Sequence, residues 1–183
     1  MKIVLIGKSC SGKTQFSLLL KEKGLRTAVT CTSRPMRPGE IEGTHYYFLN
    51  TETFQQAILD DVFAEYDNFN NWYYGLPKTE FYKSDVLVVT PRGLENLIEE
   101  YGRESLLVVY LDTETAVRLD RAAKRGDDPK EVLRRYGTDE KDFRDFIFRQ
   151  DWDIRIDQKK ENSFQFFIEL FSKQQELKSS VII

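Results

Sequence analysis

The segment Gly7-Lys8-Ser9-Cys10-Ser11-Gly12-Lys13-Thr14 fits the pattern G-x-x-x-x-G-K-[ST] and lies between a short apolar run and an amphipathic one. Glycines let the backbone fold so that successive N–H groups point inward, where they cradle phosphate oxygens. The N-terminus of the following helix adds its positive end. Lys13 supplies a point charge to the β- and γ-phosphates, and the Thr14 hydroxyl is a ligand for Mg²⁺. The candidate nucleotide-binding residues are therefore Gly7, Lys8, Ser9, Cys10, Ser11, Gly12, Lys13 and Thr14, with Thr14 also the candidate metal ligand. The flanks supply the context this loop needs. Lys2 to Ile6 reads as a buried parallel strand, and Thr14 to Lys23, with Phe16, Leu19 and Leu20 on one face, reads as a helix ended by Gly24. A dinucleotide fold requires G-x-G-x-x-G here, which is absent.

The rest of the chain continues in the same rhythm. Strand-like runs recur at Thr27 to Thr30, Val86 to Thr90 and Leu106 to Leu111, with helical patterns at Leu94 to Tyr101 and Thr115 to Lys124. Alternating strands and helices imply an α/β fold whose mostly parallel sheet is flanked by helices. Two stretches break the pattern. Residues 33–83 hold a Pro/Gly-rich turn, an aromatic strand candidate at Tyr46 to Phe48, a short helix and the aromatic segment Trp72 to Tyr74, and read as an inserted lobe. Residues 125–142 (RGDDPKEVLRRYGTDEKD) are highly charged and read either as a solvated helical hairpin or as a mobile lid carrying cations. The core of a single domain is then residues 1–32, 84–124 and 143–183. Its tail, 161–178, places Phe164, Phe167, Ile168 and Phe171 as one face of an amphipathic helix.

At 183 residues the chain forms one domain and buries enough surface to fold without disulfide or metal. Lys plus Arg number 27 against 30 Asp plus Glu, a net charge of −3 that gives no support to bulk nucleic-acid binding. The single histidine, His45, rules out a His-rich zinc site. Cys10 and Cys31 show neither metal-pair spacing nor a disulfide framework, which suits a reducing interior. The apolar stretch at the N-terminus is too short for a signal segment, and no run has the length of a membrane span. A cytoplasmic protein without membrane or nucleic-acid partners is expected.

A phosphate loop specifies a nucleotide, so the acceptor must be read elsewhere. Thr32-Ser33-Arg34-Pro35-Met36-Arg37-Pro38-Gly39-Glu40 sets two arginines three residues apart in a stretch stiffened by proline. Fixed guanidinium forks suit a phosphate dianion, and Tyr46 and Tyr74 are available as phenolic donors.

TSRPMRPGEIEGTHYYF resembles the guanylate kinase signature T-[ST]-R-x-x-R-x-G-E-x-x-G-x-x-Y-x-F, and FAEY…NWYYG resembles the same family's F-[IL]-E-[WY]…x-Y-Y-G. With the phosphate loop, three motifs stand in the family's order over residues 1–156. The resemblance implies a P-loop NTPase core with an inserted NMP-binding lobe and a short helical lid. It also implies an ATP- and Mg²⁺-dependent kinase that phosphorylates GMP or dGMP as a monomer or homodimer. Position by position, it implies that Arg34, Arg37, Tyr46 and Tyr74 hold the acceptor phosphate and that Glu65 and Thr30 contact guanine. Arg121, Arg125 and Arg135, or Arg134 in place of Arg135, would reach the transferring phosphoryl group. Chemistry agrees on Glu65, because a carboxylate only accepts and guanine presents two adjacent donors on one edge.

The chain also departs from the family pattern. Lys8-Ser9-Cys10 replaces the usual start of the loop, Leu76 stands where a serine helps to read guanine, and Asp157 stands where an asparagine is expected near adenine. Val88 and Thr90 replace paired aspartates ahead of Gly93. These changes motivate an alternative acceptor, another or a modified nucleotide, with weakened rejection of IMP where Leu76 removes a polar group. A non-catalytic guanylate-kinase-like module that binds phosphopeptides is the other class, against which stand the intact Lys13 and Thr14.

Overall fold

The computed structural model describes residues 1–69 and 71–157, together with Phe164 and Phe167. Strand β1 (Lys2–Ile6) is apolar after Lys2, and Ile3, Val4, Leu5 and Ile6 are each 3% exposed or less. A strand with two apolar faces must be covered on both, which places it inside a parallel sheet between layers of helix. It pairs in parallel with β6 (Val86–Val88) on one side and with β7 (Leu106–Asp112) on the other; β8 (Ile154–Asp157) follows β7, giving the order β6-β1-β7-β8. Val4, Ile6, Leu87, Val108 and Tyr110 pack on one face with Leu94 and Leu97 of α4 (Pro91–Tyr101) and with Phe143 and Phe146 of α6 (Pro129–Arg149). On the other face Ile3, Leu5, Val86, Val109 and Leu111 meet Phe16 and Leu20 of α1 (Lys13–Glu22). The Phe16 ring stacks on Phe164 at 4.7 Å and meets Phe167 edge-on at 5.2 Å. Apart from those two phenylalanines, the tail helix expected over 161–178 lies outside the described residues.

A second, mixed sheet has the order β3-β2-β5-β4, from β2 (Cys31–Thr32), β3 (Tyr47–Phe48), β4 (Phe63–Phe69) and β5 (Trp72–Pro77). Helices α2 (Thr51–Leu59) and α3 (Lys78–Lys83) flank it in the chain. Its small core is a stack in which Phe54 lies 4.5 Å from Phe63 and 5.3 Å from Tyr73. Among the described residues, no helix is long and apolar enough to cross a membrane.

Three expectations need correction. The strand expected at Thr27 to Thr30 reduces to a single bridge between Thr27 and Val86, with the Ala28 N–H donating to the Val86 carbonyl at 2.8 Å. There the chain leaves the edge of the first sheet and enters the second as β2. The strand expected to reach Thr90 stops at Val88, because Thr90 caps α4. Its hydroxyl accepts from the Gly93 N–H at 3.0 Å, and Pro91 takes the first turn. The charged stretch 125–142 is no hairpin. Asp128 caps α6, accepting from the Glu131 N–H at 2.9 Å with Pro129 behind it, and the helix runs unbroken past Gly137 to Arg149.

That continuity carries Asp139 to the phosphate loop. Its carboxylate accepts from the Ser9 N–H at 2.8 Å and the Ser9 hydroxyl at 3.1 Å, and it pairs with Arg118 of α5 (Thr115–Lys124) at 3.0 Å. Arg118 is 4% exposed and Asp139 1%. Arg118 and Lys8 both reach Glu140, at 3.3 and 2.6 Å. Removing one member of a buried pair strands the other charge, at about 3–5 kcal/mol, whereas replacing both with apolar groups is often neutral. We expect Asp139→Ala to lower the unfolding free energy by about 3 kcal/mol or more, and Arg118→Met with Asp139→Leu to recover most of that loss. Urea denaturation of the three proteins measures this; a single variant within about 1 kcal/mol of wild type contradicts the role.

Candidate active site

A cavity of about 390 Å³ opens between the two sheets and α6. Every site residue singled out from the sequence lines it except Lys8, whose ammonium is instead bonded to Glu140, and Arg134, the alternative to Arg135. Gly7, Ser9, Cys10, Ser11, Gly12, Lys13 and Thr14 form one wall. Gly12 takes the left-handed conformation, φ 92°, which only glycine adopts freely, and turns the loop into α1. The caps explain what this turn leaves open. Asn50, Thr90 and Asp128 side chains cap α2, α4 and α6, whereas α1, like α3 and α5, has no side-chain cap, and of these three it is α1 whose first residues, Lys13 and Thr14, lie on the cavity wall. Its first N–H groups therefore face the cavity with the positive end of the helix. The Lys13 ammonium donates to the carbonyls of Gly7 at 2.5 Å and Lys8 at 3.1 Å. Burial lowers its pKa, and Asp139 is the main influence opposing that.

Cations gather beside this loop. Arg121 donates to the Cys10 carbonyl at 3.2 Å, and the Arg125 guanidinium lies 3.3 Å from the Cys10 thiol. Arg125 and Arg135 share Asp127; burial works against its ionisation, but the two guanidinium groups hold its carboxyl down at about 2. Arg134 turns elsewhere, paired with Glu131 at 2.7 Å and lying 5.3 Å over the Trp72 ring, so Arg135 is the member of the pair that lines the cavity.

The TSRPMR segment is fixed from β5. The Thr32 hydroxyl donates to the Tyr73 carbonyl at 3.0 Å and accepts from the Arg34 N–H at 3.1 Å, while Ser33 accepts from the Tyr73 N–H at 2.9 Å. Arg34, 4% exposed, is held by Glu40 at 2.7 and 3.0 Å and lies 5.5 Å over the Tyr46 ring. Arg37 is half-buried; its backbone N–H donates to the Glu40 carboxylate at 2.7 Å, but its guanidinium has no carboxylate partner among the described residues. Burial lowers its pKa, and repulsion from Arg34, Arg135 and Arg125 lowers it further. Four guanidinium groups thus converge where Tyr46 and Tyr74 also meet the cavity. An anion relieves that repulsion.

The opposite chemistry sits on β4. Glu65 is 6% exposed, and its Oε2 has no hydrogen-bond partner. Space for it exists because residue 93 is glycine: a Cβ there would lie 2.6 Å from Oε2. Burial first, and Asp67 second, push the Glu65 carboxyl up to about 8. Asp67 lines the same cavity and accepts from the Thr90 hydroxyl at 2.8 Å. Thr30, Val88 and Thr90 complete this wall. Leu76 does not belong to it: fully buried in the main core, it presents no apolar surface to the cavity.

The sequence reading missed Asp67, Arg118, Asp127 and Asp139. The Asp128-Pro129 cap was a usable signal for α6, and a helix begun there would have run through Asp139; nothing in the pattern marked Asp67.

Glu65 also sets a pH dependence. A folded pKa above the ordinary glutamate value means that the native state holds the proton more tightly than the unfolded chain. Its contribution to stability is therefore complete below about 4.5 and lost as pH rises through about 8. Between pH 5 and 8 wild-type stability should fall by a few kcal/mol more than that of Glu65→Gln, since each tenfold difference in proton affinity between the folded and unfolded chain is worth about 1.4 kcal/mol. Denaturation across that range tests it, and parallel curves contradict it.

Comparison with known proteins agrees with this geometry. The guanylate kinase family profile matches residues 1–144. Curated guanylate kinases of Symbiobacterium thermophilum and Sphingopyxis alaskensis are 33% and 34% identical over 141 and 139 residues, 73% and 71% of this chain. The matched stretch spans 67% and 63% of those relatives' own length. The crystal structure of guanylate kinase from Anaplasma phagocytophilum superposes with a TM-score of 0.64 at 19% identity, covering 96% of this chain and 86% of that one, and so shares the fold. With the family profile spanning most of its length and the family's motifs gathered around one cavity, the chain belongs to the guanylate kinase family.

Proposed function

We propose that the protein transfers the γ-phosphoryl group of ATP to GMP or dGMP, giving ADP and GDP or dGDP. One observation carries this reading. A single cavity joins an uncapped phosphate loop, a cluster of arginines and a buried carboxylate with no partner of its own. The loop N–H groups and Lys13 bind the donor phosphates. Arg34, Arg37, Tyr46 and Tyr74 hold the acceptor phosphate, and Arg34 is pre-set by Glu40. Arg121, Arg125 and Arg135 stabilise charge on the equatorial oxygens of the moving phosphoryl group.

Thr14 fits a Mg²⁺ role, because its hydroxyl is a hard donor beside Lys13 on the cavity wall, and this ion usually takes its remaining ligands from phosphates and water. When bound it neutralises charge on the donor phosphates. No carboxylate cage is needed for such a site. Residues 33–83 serve as the acceptor lobe and 125–142 as a lid, whose first part, up to Arg135, closes with the lobe over the core to exclude water that would otherwise take the phosphoryl group, while Asp139 keeps its far part on the phosphate loop. An intracellular enzyme working on dissolved nucleotides follows from this reading.

Glu65 reads the base. Ionised, it accepts from guanine N1–H and from the exocyclic amine; adenine instead turns an acceptor at N1 toward it. Val88 and Thr90, which do line the cavity, keep another acceptor nucleotide as the second reading.

A coupled ADP-release assay with GMP, dGMP, IMP, AMP, dTMP and dCMP separates the two readings. Lys13→Ala should lower kcat by about a hundredfold or more while leaving the fold intact, since the charge is needed where the β,γ-bridge breaks. Wild-type turnover in that variant removes the phosphate-loop role. Glu65→Gln should lower kcat/KM for GMP at least about tenfold and erode the preference over AMP, whereas Arg37→Ala weakens all monophosphates alike. An unchanged GMP-to-AMP ratio in Glu65→Gln transfers the assignment to the altered-acceptor kinase.

A further inference from the structure

Glu65 and Asp67 are two residues apart on β4, so their side chains leave the same face of the strand at a spacing of about 7 Å, and both line the cavity. Tyr66, between them, points away and is 44% exposed. Asp67 is oriented. The Thr90 hydroxyl donates to its Oδ2 at 2.8 Å while accepting from the Gly93 N–H at 3.0 Å, so the end of α4 fixes the hydroxyl and the hydroxyl fixes the carboxylate. Oδ2 is thus engaged from the α4 side, and no hydrogen bond to another described residue involves Oδ1. Beside it, the buried Glu65 Oε2 has no hydrogen-bond partner among the described residues. Two carboxyl groups on one wall, each an acceptor only once ionised, suit a ligand edge with more donors than one carboxylate can take.

Guanine has such an edge. Glu65 takes N1–H and one hydrogen of the exocyclic amine, which leaves the second amine hydrogen without an acceptor. We propose that Asp67 accepts this second N–H and is a specificity-determining residue that makes the site select 2-aminopurine nucleotides over hypoxanthine ones, with Thr90 as its positioning residue. This rests on the GMP-kinase reading above. It reverses the weakened rejection of IMP expected from Leu76, which lies in the core and not at the wall. IMP keeps N1–H and lacks the amine, so in its complex Asp67 Oδ1 faces no donor from the base, and a carboxylate oxygen covered by ligand without a partner is disfavoured.

The test compares kcat/KM for GMP and IMP in wild type, Asp67→Asn, Asp67→Ala, Thr90→Val and Thr90→Ser. The GMP-to-IMP ratio should fall at least about tenfold in both Asp67 variants, through loss on GMP, which is the size expected for one charge-assisted hydrogen bond. Thr90→Val should lower the ratio in the same direction, and Thr90→Ser should restore it. Equal losses on GMP and IMP, or an unchanged ratio, overturn the role of Asp67 while leaving the kinase reading intact. A wild-type protein that does not phosphorylate GMP removes the guanine reading itself, and this inference with it.

Discussion

The loop that leads into α1 has no side-chain cap to close its turn, so its shape must be secured from outside by other elements. Three contacts do this from different directions. Asp139 of α6 takes the Ser9 N–H and hydroxyl, the Thr113 hydroxyl donates to the Ser11 carbonyl at 3.1 Å, and Lys8 reaches Glu140. Each anchor depends in turn on the parallel sheet. β1 delivers the loop, β7 delivers Thr113 and α5, and Phe143 and Phe146 seat α6 on the sheet so that Asp139 faces Ser9. Arg118 neutralises Asp139 in a site that admits almost no water. The anchoring pair is buried and expensive to break, which gives the loop a defined shape before any phosphate arrives.

Charge in the cavity is divided by strand and helix of origin. The cations come from the loop, the TSRPMR turn, α5 and α6, while the acids of the cavity wall other than Asp139, namely Glu65 and Asp67, come from one face of β4. Each group is costly alone: Arg37 feels three other guanidinium groups, and Glu65 is driven toward its neutral form by burial. These costs are carried by the packed phenylalanines behind the second sheet and by the double-sided apolar sheet beneath the loop. A nucleotide with a phosphate at one end and a row of donors at the other relieves both. The departures Val88 and Thr90 look like losses in the linear pattern, yet Thr90 brings a carboxylate back to the same wall by binding Asp67.

The places where linear reading failed share a cause. Thr27 to Thr30 has strand composition, but whether it pairs depends on where the chain is going next, and it is bound for the second sheet. The stretch 125–142 looks solvated because Asp139 sits in a charged run; its burial follows from α5 and the phosphate loop lying against that side of α6. Leu76 occupies a motif position of known polarity, yet its side chain fills the main core.

By itself the sequence determined the parts whose chemistry is local. The phosphate loop is legible because its glycines, lysine and threonine act within one turn of chain, β1 because an unbroken apolar run has to be buried on both faces, and Arg34, Arg37, Tyr46, Glu65 and Tyr74 because they fall in spaced motifs. Tertiary structure alone decided which charges are paired and which are left open. It set Asp139 against Ser9 and Arg118, turned Arg135 inward and Arg134 onto Trp72, and lined Asp67 up beside Glu65 under the Thr90 hydroxyl. Pairing of this kind depends on distance and dielectric between segments remote in the chain, and neither quantity exists until the core has packed.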